Sequence, residues 1–195
     1  NYSAAHGSLV IEDDFENEFV YLQKPTPSLF GLAGGQNVVY LGTFSRLLLP
    51  SIRISFMVLP PELSALYRKK AAQYNQTASK AEQIALCQFI RDGHLAAQTR
   101  KLKRLYSVKL KALRSAVREV FGKDAQIQTG AAGTSLALTL STTLTWQELQ
   151  KKTQTNGLRL QLLREAPGKI TLILSCSSMP VADFVPACEL LKNII

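Results

Sequence analysis

With 195 residues, 46% of them hydrophobic and 19% charged, the chain can build one ordinary domain or two small ones with a real core, which excludes a mainly disordered protein. No stretch approaches the eighteen or so uncharged apolar residues that a membrane span requires, so a soluble protein without a membrane partner is expected. The net charge of +9 leaves nucleic acid open as a partner, and the three cysteines, Cys87, Cys176 and Cys188, lack the C-x-x-C spacing of a zinc site or a disulfide framework, which points to a reducing, cytoplasmic home.

Residues 1–7 have neither the order of a signal peptide nor an initiator Met, and read as the start of a piece cut from something longer. "SLVI" (8–11) reads as a short buried strand running into the acidic "EDDFENEF", which holds five of the fourteen acids. Residues 13–37 show no period and carry Pro25, Pro27, Gly31, Gly34 and Gly35; a loop of that length is usually functional or tethered elsewhere. "NVVYLGTF" and "IRISFMVL" (52–59) read as strands from their β-branched or alternating apolar residues, with a tight turn between them.

"PPELSALYRKKAAQY" predicts a helix with proline in its first turn. A second helix is expected over about 80–92, ended by Gly93, and a long basic one over about 94–121, ended by Gly122. Strands are expected at 127–129 and 135–140, then a helix opened by Thr145 with Glu148 three residues on, a capping box. Further strands near 158–162 and 170–174 precede a last helix near 182–194, where Pro186 must fall in the first turns. From about residue 94 on, these elements form a self-contained α+β module; residues 1–75 hold strands and helices whose partners are missing.

Between Gln98 and Lys123 nine Lys or Arg stand against one acid, Glu119. Nucleic-acid binding is one reading of that run. A solvated helix face is the better one, because Leu102, Leu105, Leu113, Ala116, Val117 and Val120 recur at helical spacing and no known DNA-reading pattern accompanies the charge.

No phosphate-loop, dinucleotide, zinc-protease or nucleophile-elbow signature is present, and His6 and His94 stand alone. Two stretches nevertheless fit together. One is the acidic strand end at Asp13 and Asp14; the other is the Gly-Thr-x-Ser-Arg turn, with Arg53 seven residues beyond Arg46. The hydroxyls of Thr43 and Ser45, the turn amides and the planar fork of Arg53 make a cradle for a phosphate, and a carboxylate opposite can hold a protonated ring nitrogen. That is the equipment pyridoxal phosphate needs, apart from an amine to bond its aldehyde.

At these residues the chain resembles a known family. "VIEDDFENEF" followed by "NVVYLGTFSRLLLPSIRISFMVLPPEL" is similar to the stretch "EDDY-x-x-EF … V-x-Y-x-GTFSK-x-L-x-P-x-LR-x-G/S-Y" of MocR-type regulators, a branch of the GntR transcription factors. "AEQIALCQFIRDGHLAAQTRKLKRLYSVKLKALRSAV" continues the likeness. The resemblance implies an α/β chain that is the C-terminal portion of a fold-type I pyridoxal phosphate-dependent transferase: the last part of the large domain over about 1–75 and the small domain over 76–195. It also implies a cytoplasmic homodimer, a small amino compound as effector, and DNA bound through a winged helix-turn-helix absent from this chain.

Carried over residue by residue, the resemblance places Asp13 at the pyridine nitrogen, Arg53 at the phosphate, and Thr43 and Ser45 beside that phosphate. Phe15 falls where a tyrosine would reach the cofactor's phenolic oxygen, so that contact is absent. Arg46 falls on the Schiff-base lysine. A guanidinium stays protonated and is a poor imine-forming nucleophile, so the substitution removes covalent capture of pyridoxal phosphate, which is expected to be noncovalently held or absent. The family's "GLH" turn appears as Gly133, Thr134, Ser135, and its "GFA" segment as Ser175, Cys176, Ser177. Arg164 is a candidate for gripping a substrate carboxylate, with an ordinary surface arginine as the equal alternative. Taken singly, Asp13, Thr43, Ser45 and Arg53 also read as turn caps and surface pairs; at the family's spacing, common ancestry explains them better. The expected function is the sensing or dimerisation domain of a regulator rather than an enzyme, with a working aminotransferase as the alternative.

Overall fold

The computed structural model describes residues 5–14, 26–48, 50–129 and 133–195. By their contacts the described residues fall into two units, one up to Leu102 and the other from Lys103 onward. That division lies inside a continuous helix.

The first unit is built on a three-stranded sheet. Strands β1 (Val10–Asp13) and β2 (Val38–Thr43) run parallel, from Val10 opposite Val38 to Asp13 opposite Leu41, and β3 (Ser55–Val58) lies antiparallel on the other side of β2. A short helix, α1 (Leu29–Leu32), is expected from no periodicity in the loop that contains it. Two carboxylate contacts explain it: Glu12 accepts hydrogen bonds from the amides of Leu29 and Phe30 at 2.8 and 3.0 Å, and Ser28 caps the amide of Gly31 at 3.0 Å. These satisfy donors that a helix N-terminus leaves unpaired. Helix α2 (Pro61–Ala71) follows β3 with proline in its first turn, and α3 (Lys80–Arg91) is capped by the Ser79 hydroxyl. Gly93 then takes φ +77°, a conformation open to glycine, and lets α4 (His94–Phe121) start at once.

The second unit is a four-stranded antiparallel sheet in the order β4 (Gln126–Gln128), β5 (Ser135–Ser141), β7 (Lys169–Ser175), β6 (Gln161–Ala166). Leu136, Leu138 and Leu140 of β5 lie opposite Leu174, Leu172 and Ile170 of β7, so the period of two aims one leucine-rich face at a common core. Helix α4 covers that face with Leu110, Leu113, Ala116, Val117 and Phe121; α5 (Trp146–Thr155) adds Leu149, and α6 (Phe184–Ile194) adds Phe184, Cys188 and Leu191. On the opposite face the hydroxyls of Thr139 and Thr171 meet across the strands at 2.9 Å. Pro186 sits in the first turn of α6, where its missing amide costs little.

Several expectations are corrected. The opening strand is Val10–Asp13, not residues 8–11, and it is not buried: Ile11 is 66% exposed. The strand expected over 52–59 is confined to Ser55–Val58 with all four residues exposed, because Pro50–Ile52 form a 3-10 turn and Arg53 turns the backbone to φ +49°. Residues 158–160 are not strand; the Leu158 amide bonds the Thr153 carbonyl at 2.8 Å and so finishes α5. In α4, Leu105 points outward at 48% exposure, and the inward stripe runs instead from Leu110 to Phe121.

Candidate functional site

Alternation along the first sheet decides what its residues can do. Glu12 and Asp14 share one side of β1, where Glu12 holds α1 and Asp14 accepts a 2.6 Å hydrogen bond from the Tyr40 hydroxyl. Asp13 is left for the opposite side, together with Leu41 and Thr43 of β2 and their partners Met57 and Ser55 of β3. On the Tyr40 side, the Phe56 ring packs against Tyr40 and Phe44 with centroids 6.2 and 5.2 Å apart. It also lies against Gly42, where an added Cβ would collide with the ring. Glycine at 42 therefore serves the aromatic side of the sheet.

The turn after β2 is closed by Ile54. Its carbonyl accepts from the Phe44 amide at 3.1 Å and from the Thr43 hydroxyl at 3.4 Å, and the same hydroxyl accepts from the Ser45 amide at 3.2 Å. Arg53, immediately before Ile54, is held in the left-handed region at φ +49°, which an arginine adopts only at a cost of about 1 kcal/mol or more.

These elements surround a cleft of about 910 Å³ whose lining includes Asp13, Thr43, Ser45 and Arg53. One acid, one guanidinium and two hydroxyls thus share a single space, although Asp13 and Arg53 stand 40 positions apart, as 53 minus 13 gives. Arg46 is half-buried in the turn and is not among the described lining residues, none of which is a lysine. Phe15 lies outside the described residues. Arg164 belongs to the second unit; it is exposed on β6, opposite Thr171 at a bulge in the ladder.

Ser55, Ser64, Tyr67 and Gln76 also line the cleft and were not singled out from the sequence. The period of two on β3 puts Ser55 level with Thr43, and Ser64 and Tyr67 share a face of α2 through their three-residue spacing. Both signals need the strand register, which no motif supplied.

The two small-residue turns of the second unit meet each other. The Cys176 amide donates to the Thr134 carbonyl at 2.7 Å, the Ser175 hydroxyl reaches the same carbonyl at 3.4 Å, and the Ser175 and Ser177 hydroxyls are 2.8 Å apart. Lys109 of α4 fixes this turn by donating to the Ser177 carbonyl at 3.0 Å. Burial pushes the Cys176 thiol above its ordinary pKa, with the Lys109 charge acting the other way. Among the described residues no cluster of three metal-ligating side chains occurs, and no helix is long and apolar enough to cross a membrane.

A pyridoxal phosphate fits this cleft in part. The Ser45 hydroxyl and Arg53 suit its phosphate and Asp13 suits its ring nitrogen, whereas the Thr43 hydroxyl and the Phe44 and Ser45 amides are already engaged in closing the turn. Among the described lining residues no amine answers the aldehyde.

No protein-family profile matches the chain. It is 34% identical over 159 residues to the HTH-type transcriptional regulator YdeL of Bacillus subtilis, covering 82% of this chain and 34% of that protein. It is 30% identical over 158 residues to the rhizopine catabolism regulatory protein MocR of Rhizobium meliloti, covering 81% of this chain and 32% of that one. The chain thus spans about a third of the length of these curated relatives. Among solved structures, the α-aminoadipate aminotransferase LysN of Thermus thermophilus, complexed with N-(5'-phosphopyridoxyl)-L-leucine, superposes with a TM-score of 0.79 at 23% identity, over 99% of this chain and 51% of that one. The fold is that of part of a fold-type I aminotransferase.

Proposed function

We propose that this chain, a partial aminotransferase-like region of the MocR-type regulators, senses an effector or supports dimerisation and has lost covalent capture of pyridoxal phosphate. The observation that carries the reading is a cleft where Asp13, Ser45 and Arg53 converge, beside a turn that carries an arginine at position 46. When bound, pyridoxal phosphate supplies an electron sink for amine chemistry. Asp13 would hold the protonated ring nitrogen, and Ser45 with Arg53 would hold the phosphate. Arg46 takes the lysine's place with a group unable to act as the nucleophile. In this reading the intact protein is a cytoplasmic homodimer, binds DNA through a winged helix-turn-helix outside this chain, and responds to a small amino compound.

The test is chemical. Intact protein is mixed with pyridoxal phosphate, treated with borohydride, digested, and the peptides weighed. The expected result is loss of cofactor on gel filtration and no added mass on any lysine of the wild type, with a stable adduct on residue 46 of Arg46→Lys. A cofactor adduct on a wild-type lysine refutes the reading.

A second reading, a working pyridoxal phosphate-dependent aminotransferase, is favoured by the likeness to an aminotransferase fold and by the same cleft residues. It needs a lysine from elsewhere in the intact protein. Amino-group transfer from amino acids to 2-oxoglutarate, followed as glutamate formed, would decide for it.

A further inference from the structure

The second unit contains a cavity of about 500 Å³ that the proposed sensing role does not use. It arises where two neighbouring strands part. The β6–β7 ladder runs from Ala166 opposite Lys169 to Gln161 opposite Ile173 and stops there, while on its other side β7 continues to Leu174 opposite Leu136 and Ser175 opposite Ser135. Residues 158–160 do not continue β6, because the Leu158 amide is committed to the Thr153 carbonyl at 2.8 Å. The gap beside β7 therefore follows from how α5 ends.

Its interior is apolar and its rim carries one sign of charge. Leu113, Phe184 and Leu191 belong to the buried core and also line the cavity, with Leu160 and Leu174 on its walls. Among the described lining residues Arg159 is the sole charged one, accompanied by the serines at 175 and 178. Cys188 also lines it, its thiol pushed up to about 11 by burial, so the wall presents a neutral thiol and no anion near pH 7. The volume falls in the range of small-molecule sites, which combine an apolar interior with a few convergent polar groups.

We propose that this cavity is a binding site for a small amphipathic carboxylic acid, with its apolar body between Leu160, Leu174 and Phe184 and its carboxylate on Arg159. A guanidinium fork matches a carboxylate, and none of the described lining residues is an acid that would repel one. The site lies in the other unit from the Asp13–Arg53 cleft, so the two proposals stand or fall separately.

The test titrates the intact protein with n-alkanoates from butanoate to dodecanoate, and with the matching n-alcohols, by isothermal titration calorimetry. Alkanoate affinity is expected to rise about fourfold per methylene until the cavity is filled, and then to level off. Arg159→Gln, a change at an exposed side chain, is expected to weaken the alkanoates about tenfold or more and to leave the alcohols unchanged. Saturating decanoate should slow alkylation of Cys188. Three results would overturn the proposal: no saturable uptake by the intact protein, as when another of its segments fills the cavity; alcohols bound as well as acids; or unchanged alkanoate affinity in Arg159→Gln.

Discussion

The leucine-rich face of β5 and β7 is closed by three helices, whereas β3 in the first unit exposes Phe56, Met57 and Val58 together with Ser55. Both regions are rich in apolar side chains. Within this chain they differ in whether a second layer covers them: the apolar face of the second unit is buried, and that of β3 is not. Burial is what converts apolar composition into free energy, so equal hydrophobicity does not mean equal contribution.

Truncation is the strongest way to test that contrast. Leu138→Ala, at a fully buried position, is expected to cost about 2–5 kcal/mol in urea denaturation, while Met57→Ala, half exposed, should stay within about 0.5 kcal/mol. Equal losses would break the comparison. Gly42→Ala comes next: the new methyl must displace the Phe56 ring, so a loss of about 1–2 kcal/mol is expected, largely relieved in the Phe56→Leu background. Arg53 sharpens the picture of the cleft. Arg53→Gly should be about 1 kcal/mol more stable than Arg53→Ala because only glycine relieves the left-handed backbone, and both should weaken noncovalent binding of pyridoxal phosphate alike in an equilibrium titration.

The smallest effect is in the closed unit. Glu148 is held below the ordinary carboxylate pKa first by the Thr145 amide, then by the Thr145 hydroxyl. A depressed pKa gives stability that is present above the unfolded value and is lost as pH falls through the folded one. The denaturation midpoint should therefore drift down in acid slightly more for the wild type than for Glu148→Gln.

Local signals carried much of the fold. The Thr145–Glu148 capping box, the glycine stop at 93 and the bounds of α4 are settled within a few residues of chain, and they appear where the sequence reading puts them. Burial was less legible. An apolar run such as residues 8–11 says that a strand is available but not what lies over it, and the run 158–160 was drawn off by the end of α5. In the site, motif spacing selected Asp13, Thr43, Ser45 and Arg53, while Ser55, Ser64, Tyr67 and Gln76 join them only through strand register and helix placement.

What the chain determined alone is chemical: an arginine at position 46, acids at 12–14, hydroxyls at 43 and 45, and two turns rebuilt from small residues. Which functional groups a residue carries does not depend on its neighbours, so those inferences need only the order of residues. Tertiary structure decided the division of labour among the three adjacent acids. Strand alternation sent Glu12 to cap α1 and Asp14 to Tyr40, and left Asp13 facing the cleft. It also set Arg53 in a left-handed turn and opened the gap beside β7, because those outcomes depend on which carbonyls and amides meet across long stretches of chain.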